Sequence, residues 1–192
     1  MTSIEARQRL NDLASLRITI FKEFPYIYDG SLDYEVTYLG RYFESLTAQI
    51  FVAEDQNHQL VGMSTCLHLR EEMDEIREPF LQAQIPIDQV FYFGESLLQA
   101  KYRGLGIGKK FFELREKHAL SFPNIKMTAF CSVDRPEDHI LKPENYKPLD
   151  DFWSSRGYQK QSEMKCFLDW KDISKSETTT KSLTFWTKKW IK

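Results

Sequence analysis

An α/β domain with one mixed sheet is the fold class this sequence predicts, and three observations carry the prediction. Val90–Leu98 is a nearly continuous run of aromatic and branched residues, the composition of a strand buried on both faces. A glycine-rich turn follows it and opens a segment with helical spacing. Around that unit, short strand-like runs and helical periods succeed one another without an internal repeat. With 192 residues, 42% of them hydrophobic, and a formal net charge of -2, the chain fits one compact domain over residues 1–192.

The elements are justified in order. Thr2, Ser3, Ile4 and Glu5 have the form of a capping box, and Ala6, Leu10, Leu13, Arg17, Ile20 and Phe24 continue at helical spacing until Pro25, giving a first helix. Residues 26–31 form a turn whose tyrosines and aspartate either pack or meet a substrate. Tyr34, Tyr38, Tyr42 and Leu46 recur at every fourth position of a second helix, and such a stripe ordinarily faces a core. Residues 50–54 and 59–69 read as a hairpin around the polar turn 55–58. Residues 70–81 are charged and helical. Their acidic run, Glu71, Glu72, Asp74 and Glu75, is either a solvated face or a collar for a cationic amine. Pro79 and Pro86 then deliver the chain to the central strand.

Beyond the glycines, Ile107, Phe111, Leu114 and His118 mark a helix, and residues 125–133 another strand. Residues 134–148 hold three prolines and mixed charge, so they read as an ordered surface loop. A short helix over 149–156 ends at Gly157, a left-handed cap. Residues 165–170 and 182–190 close the domain as antiparallel strands.

Composition excludes several function classes. Near-balanced charge argues against a nucleic-acid binder that relies on a broad basic face. Cys66, Cys131 and Cys166 are widely spaced and form no CxxC pair, which indicates neither a disulfide framework nor a zinc site and fits a reducing cytoplasm. His58 and His68 lack neighbours that suggest a metal ligand. No apolar run is long enough for a secretory signal or a bilayer span, so no membrane role is expected.

The chemistry is read from the turn Arg103, Gly104, Leu105, Gly106, Ile107, Gly108. Glycines at a strand-to-helix junction let main-chain N–H groups approach a ligand, and the helix N-terminus adds unpaired donors and a positive dipole end, a combination suited to phosphate. A nucleoside triphosphatase loop would need Lys-Ser or Lys-Thr after its last glycine, where Lys109 and Lys110 stand. A dinucleotide fingerprint would need glycine at Lys109. The pattern that remains is Arg-x-x-Gly-x-Gly, carried by Arg103, Gly106 and Gly108. It resembles the acyl-CoA pyrophosphate motif of the GNAT superfamily, the general acyl-CoA-dependent N-acetyltransferases. Phe152, Trp153, Ser154, Ser155, Arg156, Gly157 and Tyr158 are similar to that family's second motif, with Trp153 in the place of its tyrosine.

The resemblance is specific from about residue 90 to 158, and it implies a mostly antiparallel mixed sheet flanked by helices. The family's initial strand has no counterpart ahead of the first helix, which would leave a sheet edge open to pairing and allow a homodimer. The resemblance further implies direct transfer of an acetyl group from acetyl-CoA to an unidentified primary amine of a small molecule or peptide, in a ternary complex. The main chain of Arg103, Gly104, Leu105, Gly106, Ile107, Gly108 and Lys109 would bind the pyrophosphate, with Arg103 and Lys109 adding charge. Leu97 and Leu98 would align the thioester, and Trp153 would wall the pantetheine arm. An indole N–H does not protonate a thiolate near neutral pH, so the usual acid does not carry over.

Among ionisable residues, Glu95 stands out as a carboxylate in an apolar strand, to be read as the base for the amine or as a paired charge. Tyr146 is the candidate acid. Cys131 reads as a small core residue beside a conceivable covalent route, His139 as a loop histidine or amine contact, and Tyr28, Asp29, Glu72 and Asp134 as substrate walls by position alone. The rival reading is a catalytically inactive acyl-CoA-binding sensor or scaffold.

Overall fold

The computed structural model describes residues 7–173 and 175–190, so the capping box at residues 2–5 lies outside the described residues. The first described helix, α1 (Leu10–Phe21), buries Leu13, Leu16, Arg17 and Ile20. It ends short of Pro25 because the chain turns at Glu23, whose N–H reaches the Ile20 carbonyl at 3.0 Å. Helix α2 (Leu32–Glu44) begins at Ser31, whose hydroxyl accepts from the Tyr34 N–H. Its tyrosine stripe only partly faces the core: Tyr42 is buried, but Tyr34 is 55% and Leu46 98% exposed. Leu46 lies past the helix end, where Ser45 is extended, so the helical period no longer sets its direction.

Strands β1 (Gln49–Glu54) and β2 (Leu60–His68) form the expected hairpin. Helix α3 (Asp74–Gln82) starts later than the charge pattern suggests and runs through Pro79, held by the burial of Ile76 and Phe80. After β3 (Val90–Leu98) come α4 (Ile107–Leu120), β4 (Met127–Val133), α5 (Asp150–Ser155), β5 (Gln159–Lys171) and β6 (Thr178–Lys189). The last two strands are longer than predicted. Their polar ends lack an alternating pattern because β5 is an edge strand with both faces largely exposed. Residues 134–148 form a loop of turns, and Gly157 adopts φ +85° after α5.

All strands join one sheet in the order β1-β2-β3-β4-β6-β5. Every neighbouring pair is antiparallel except β3 and β4, which run parallel and pair only at Val90 with Met127, Phe91 with Thr128 and Tyr92 with Ala129. Beyond those three pairs the strands part. A bulge accounts for the divergence: Ser64 pairs with Ser96 and Cys66 with Phe93, so Thr65 alone faces both Gly94 and Glu95. An extra residue bends its strand and re-aims the side chains that follow. Gly94 is required there, since a Cβ would stand against the Tyr42 hydroxyl and 2.6 Å from Thr65 Oγ1.

The sheet separates two cores. One lies under α1, α2 and α3, and includes Leu13, Leu39, Phe80, Tyr92 and Phe185. The other lies under α4 and α5 and is aromatic: Phe91, Phe93, Phe112, Phe130, Tyr158 and Trp186. Helix α4 turns Phe111, Phe112, Arg115 and Ala119 inward, a face rotated from the predicted Ile107, Phe111, Leu114 and His118 row. The rotation follows from the aromatic layer, where Phe112 meets Phe130 at 5.8 Å and Tyr158 at 5.3 Å. Among the described residues no helix is long and apolar enough to cross a membrane.

Candidate active site

The gap between β3 and β4 has a glycine turn at one end and a charged cavity on one side. At the turn, Gly106 adopts φ +83° and immediately precedes α4, and the Lys110 N–H closes the first helical bond onto the Gly106 carbonyl at 3.0 Å. The N–H groups of Ile107, Gly108 and Lys109 therefore have no partner within the helix. Gly104 is also left-handed, at φ +80°, and a Cβ on Gly104 or Gly106 would meet nothing within 4 Å. The cup is open, with Leu105 70% exposed at its lip and Lys109 exposed beside it.

Arg103 is engaged otherwise than the sequence suggests. Its Nε donates to the Leu98 carbonyl at 3.0 Å and its Nη2 to Glu23 Oε2 at 2.6 Å, so it fastens the turn to the end of β3 and to the chain after α1. The ring nearest the turn is Phe152, 3.7 Å from where a Gly108 Cβ would sit. Trp153 packs against Phe130 and Trp186, each at 5.1 Å, within the aromatic layer. Leu97 and Leu98 face opposite ways. The Leu97 carbonyl lies toward Gly62 on β2, whereas the Leu98 carbonyl is on the side of the Arg103 side chain, as strand alternation requires.

On the face covered by α1, α2 and α3 lies a cavity of about 600 Å³. Tyr92 and Gly94 line it while Phe91 and Phe93 face the opposite core. Regular alternation would send Glu95 to the Phe93 side, but the bulge returns it to the cavity, where it is only 6% exposed. Glu95's main chain turns to β2, its carbonyl accepting from Ser64 Oγ at 2.9 Å and its N–H donating to Thr65 Oγ1 at 3.2 Å.

The charges around Glu95 form a buried cluster. Arg17 Nη1 lies 2.6 Å from Glu95 Oε1, and Arg17 Nε donates to Glu35 Oε2. Tyr38 Oη donates to Glu95 Oε2 at 3.4 Å, and its ring has the Arg17 and Arg41 guanidinium groups each at 4.1 Å. Arg41 in turn pairs with Glu72 at 3.1 Å. Burial works against the Arg17 charge, but Glu95, Tyr38 and Glu35 outweigh it and hold the guanidinium far above its usual pKa. Burial raises the Glu72 carboxyl, with Glu95 adding to the rise and Arg41 opposing it. Despite the ion pairs, Glu35 Oε1 has no hydrogen-bond donor among the described residues, and Glu95 Oε1 has only its ion pair with Arg17. The cavity is lined by five carboxylates, Glu35, Glu72, Glu75, Glu95 and Asp169, against two guanidinium groups, Arg17 and Arg41.

Of the residues selected from sequence, Glu95, Tyr28, Glu72 and Cys131 meet at this cavity. Glu72 departs from the solvated-face reading of the acidic run, because the turn before α3 folds it inward onto Arg41. Cys131 Sγ lies 3.1 Å from Tyr92 Oη. Asp29 pairs with Lys171 at 2.6 Å, and Asp134 accepts from Ser182 and Thr184, fastening the end of β4 to β6. Tyr146 does not line the cavity. Its loop packs it edge-on against Phe24 at 4.7 Å, with His139 on the same ring, and burial raises its hydroxyl pKa. Nothing in the sequence points to Glu35 or Arg41 as parts of the site. Arg17 alone carried a signal, as the charged residue in the apolar row of the first helix.

No family model matches the chain, and no curated protein matches it. Solved structures do. The chain superposes on a ribosomal-protein-alanine N-acetyltransferase from Brucella melitensis with a TM-score of 0.60 and 13% identity, covering 96% of each chain. A GNAT-family acetyltransferase from Staphylococcus aureus Mu50 gives 0.61 and 16%, over 95% of this chain and 94% of that one. An aminoglycoside 6'-N-acetyltransferase complexed with coenzyme A gives 0.55 and 15%, over 97% and 91%. The fold of this chain is that of the GNAT acetyltransferases over nearly its whole length.

Proposed function

We propose that the chain is an acyl-CoA-dependent N-acyltransferase that moves an acetyl group from acetyl-CoA to a primary amine held in the Glu95 cavity. The observation that carries this reading is the bulge, which opens the sheet beside the glycine turn and aims the Glu95 carboxylate into the cavity, where Arg17 and Tyr38 hold it.

The open cup at residues 103–109 supports pyrophosphate binding: three free main-chain N–H groups, two left-handed glycines with clear space, and Lys109 nearby suit a dianionic ligand. The edge of β3 that faces the gap, at Ser96 and Leu98, is the stretch suited to pairing with a pantetheine arm and to holding the carbonyl oxygen as charge develops on it. Leu97 supports that edge from the β2 side. Acetyl-CoA supplies the thioester. Glu95 takes the proton of the incoming ammonium, directly or through water, so that nitrogen bonds to the acyl carbon as the carbon–sulfur bond breaks. With a thiol reference pKa of about 8.5, the departing thiolate can take its proton from water, and neither Trp153 nor Tyr146 is needed as the acid. The three free thiols, Cys66 and Cys166 buried among them, suit a reducing cytoplasm.

The test is twofold. CoA should raise the melting temperature, since a ligand that binds only the folded state stabilises it. Adding an amine panel to protein and acetyl-CoA should then release free thiol; a chain that binds CoA but releases none with any amine is a sensor or scaffold instead.

A further inference from the structure

We propose that the acceptor carries a second positive charge beyond its reacting amine, read by Glu75 and Asp169 at the mouth of the cavity, so that the substrate class is a diamine or polyamine. The inference rests on the acyltransfer reading for the chemistry, but its recognition step stands on charge and shape alone.

Three of the lining carboxylates, Glu35, Glu72 and Glu95, are buried, and only Arg17 and Arg41 oppose them. The buried set therefore holds one carboxyl group more than it has guanidinium groups. One guanidinium, Arg17, serves both Glu35 and Glu95, and Glu35 Oε1 is left a buried acceptor without a hydrogen-bond donor among the described residues, a costly state that one ammonium group would relieve. That is the place for the reacting amine. Further out, Glu75 and Asp169 are exposed and have no ion-pair partner among the described residues; Asp169 accepts only the Thr180 hydroxyl, at 2.6 Å. No lysine lines the cavity to neutralise them.

Between the two levels the walls are aromatic. Tyr28 stands inside and Phe167 is 59% exposed at the mouth, while the Tyr38 ring is already taken by Arg17 and Arg41. Aromatic faces attract cations and pack along methylene groups, so they accept an alkyl spacer between two ammonium groups. An amine with a neutral tail would use the walls and leave the outer carboxylates idle. A cavity of about 600 Å³ holds a chain of this length.

The experiment is calorimetric titration with cadaverine, pentylamine and phenethylamine, at low and at high salt, on the wild type and on the double variant Glu75→Gln, Asp169→Asn, followed by thiol release from acetyl-CoA with the same amines. Both substitutions lie at exposed positions, and the melting curve of the free variant checks its fold. We expect cadaverine to bind about tenfold tighter than pentylamine, about 1.4 kcal/mol. The advantage should shrink at high salt, as screened surface charges require, and vanish in the double variant. Equal or tighter binding of pentylamine or phenethylamine, or a diamine preference that survives the double substitution, overturns the proposal. If cadaverine is preferred but no amine releases thiol, the charge reading stands and acyl transfer falls. If amines release thiol without diamine preference, the reverse holds.

Discussion

Arg17 Nη1 and Glu95 Oε1 lie 2.6 Å apart with both side chains almost wholly buried, which joins the first helix to the bulge of the central strand at the centre of the cavity. The same guanidinium also holds Glu35, so one cation serves two carboxylates. A buried ion pair adds little net stability over a well-packed apolar pair, but removing one partner leaves uncompensated charge.

Replacement of Arg17 by Met should therefore destabilise the fold by about 3–5 kcal/mol near neutral pH, because two buried carboxylates would remain without their shared cation. Urea denaturation checks this. A change within experimental error would mean that Glu35 and Glu95 are solvated in a way their burial does not indicate.

Gly94→Ala probes the bulge itself. A Cβ there meets the Tyr42 hydroxyl and Thr65 Oγ1, and forcing a methyl group into a filled site costs about 1–3 kcal/mol. Displacement of the adjacent Glu95 should reduce turnover more than it weakens CoA binding, which steady-state kinetics alongside CoA titration would separate.

Asp172 supplies the pH dependence. Burial pushes its carboxyl up, but the hydrogen bonds and charge of Arg135, together with Lys181, more than offset this and leave it below 3.8. A depressed carboxylate contributes stability that is present above the unfolded value and is lost as pH falls through the folded one. Asp172→Asn should thus cost about 3 kcal/mol at neutral pH, since Arg135 is left buried against the Pro25 and Tyr26 carbonyls alone. The gap between wild type and variant should close below pH 3.8. A gap that stays constant throughout the acid range below pH 3.8 would refute the linkage.

These positions also show what the sequence discloses. The central unit was legible because its signals are local: a run of aromatic residues for β3, glycines at the two left-handed positions 104 and 106, and helical spacing after them. Glu95 could be picked out as a carboxylate in an apolar strand. Its direction could not, because one inserted residue opposite Thr65 reverses the face of everything after it, and pairing register is a property of two strands. Arg17, Glu35 and Arg41 come from two helices and meet Glu95 and Glu72 only through tertiary packing. The periodicity of α2 gave Tyr38 the look of a core residue, since the same spacing serves a core and a cavity wall. Tyr146 reads as an acid only by its place in a loop, and the loop carries it to Phe24.

The proposed phosphate cup is tested by Gly106→Val. At φ +83° a β-branched side chain strains the backbone by about 1–2 kcal/mol and points into the open space where the proposed ligand would sit. The free variant should melt somewhat lower and bind CoA too weakly to measure by calorimetry. Retained affinity would put the diphosphate elsewhere.

The most direct measurement of the central claim compares thiol release by the wild type and Glu95→Gln with saturating acetyl-CoA and the best amine of the panel. Loss of a general base costs about 10²–10⁴ in turnover, so the variant should fall by that factor while its CoA affinity is unchanged. Equal turnover in the two proteins would contradict the account, because the carboxylate that the bulge turns into the cavity would then have no part in the reaction.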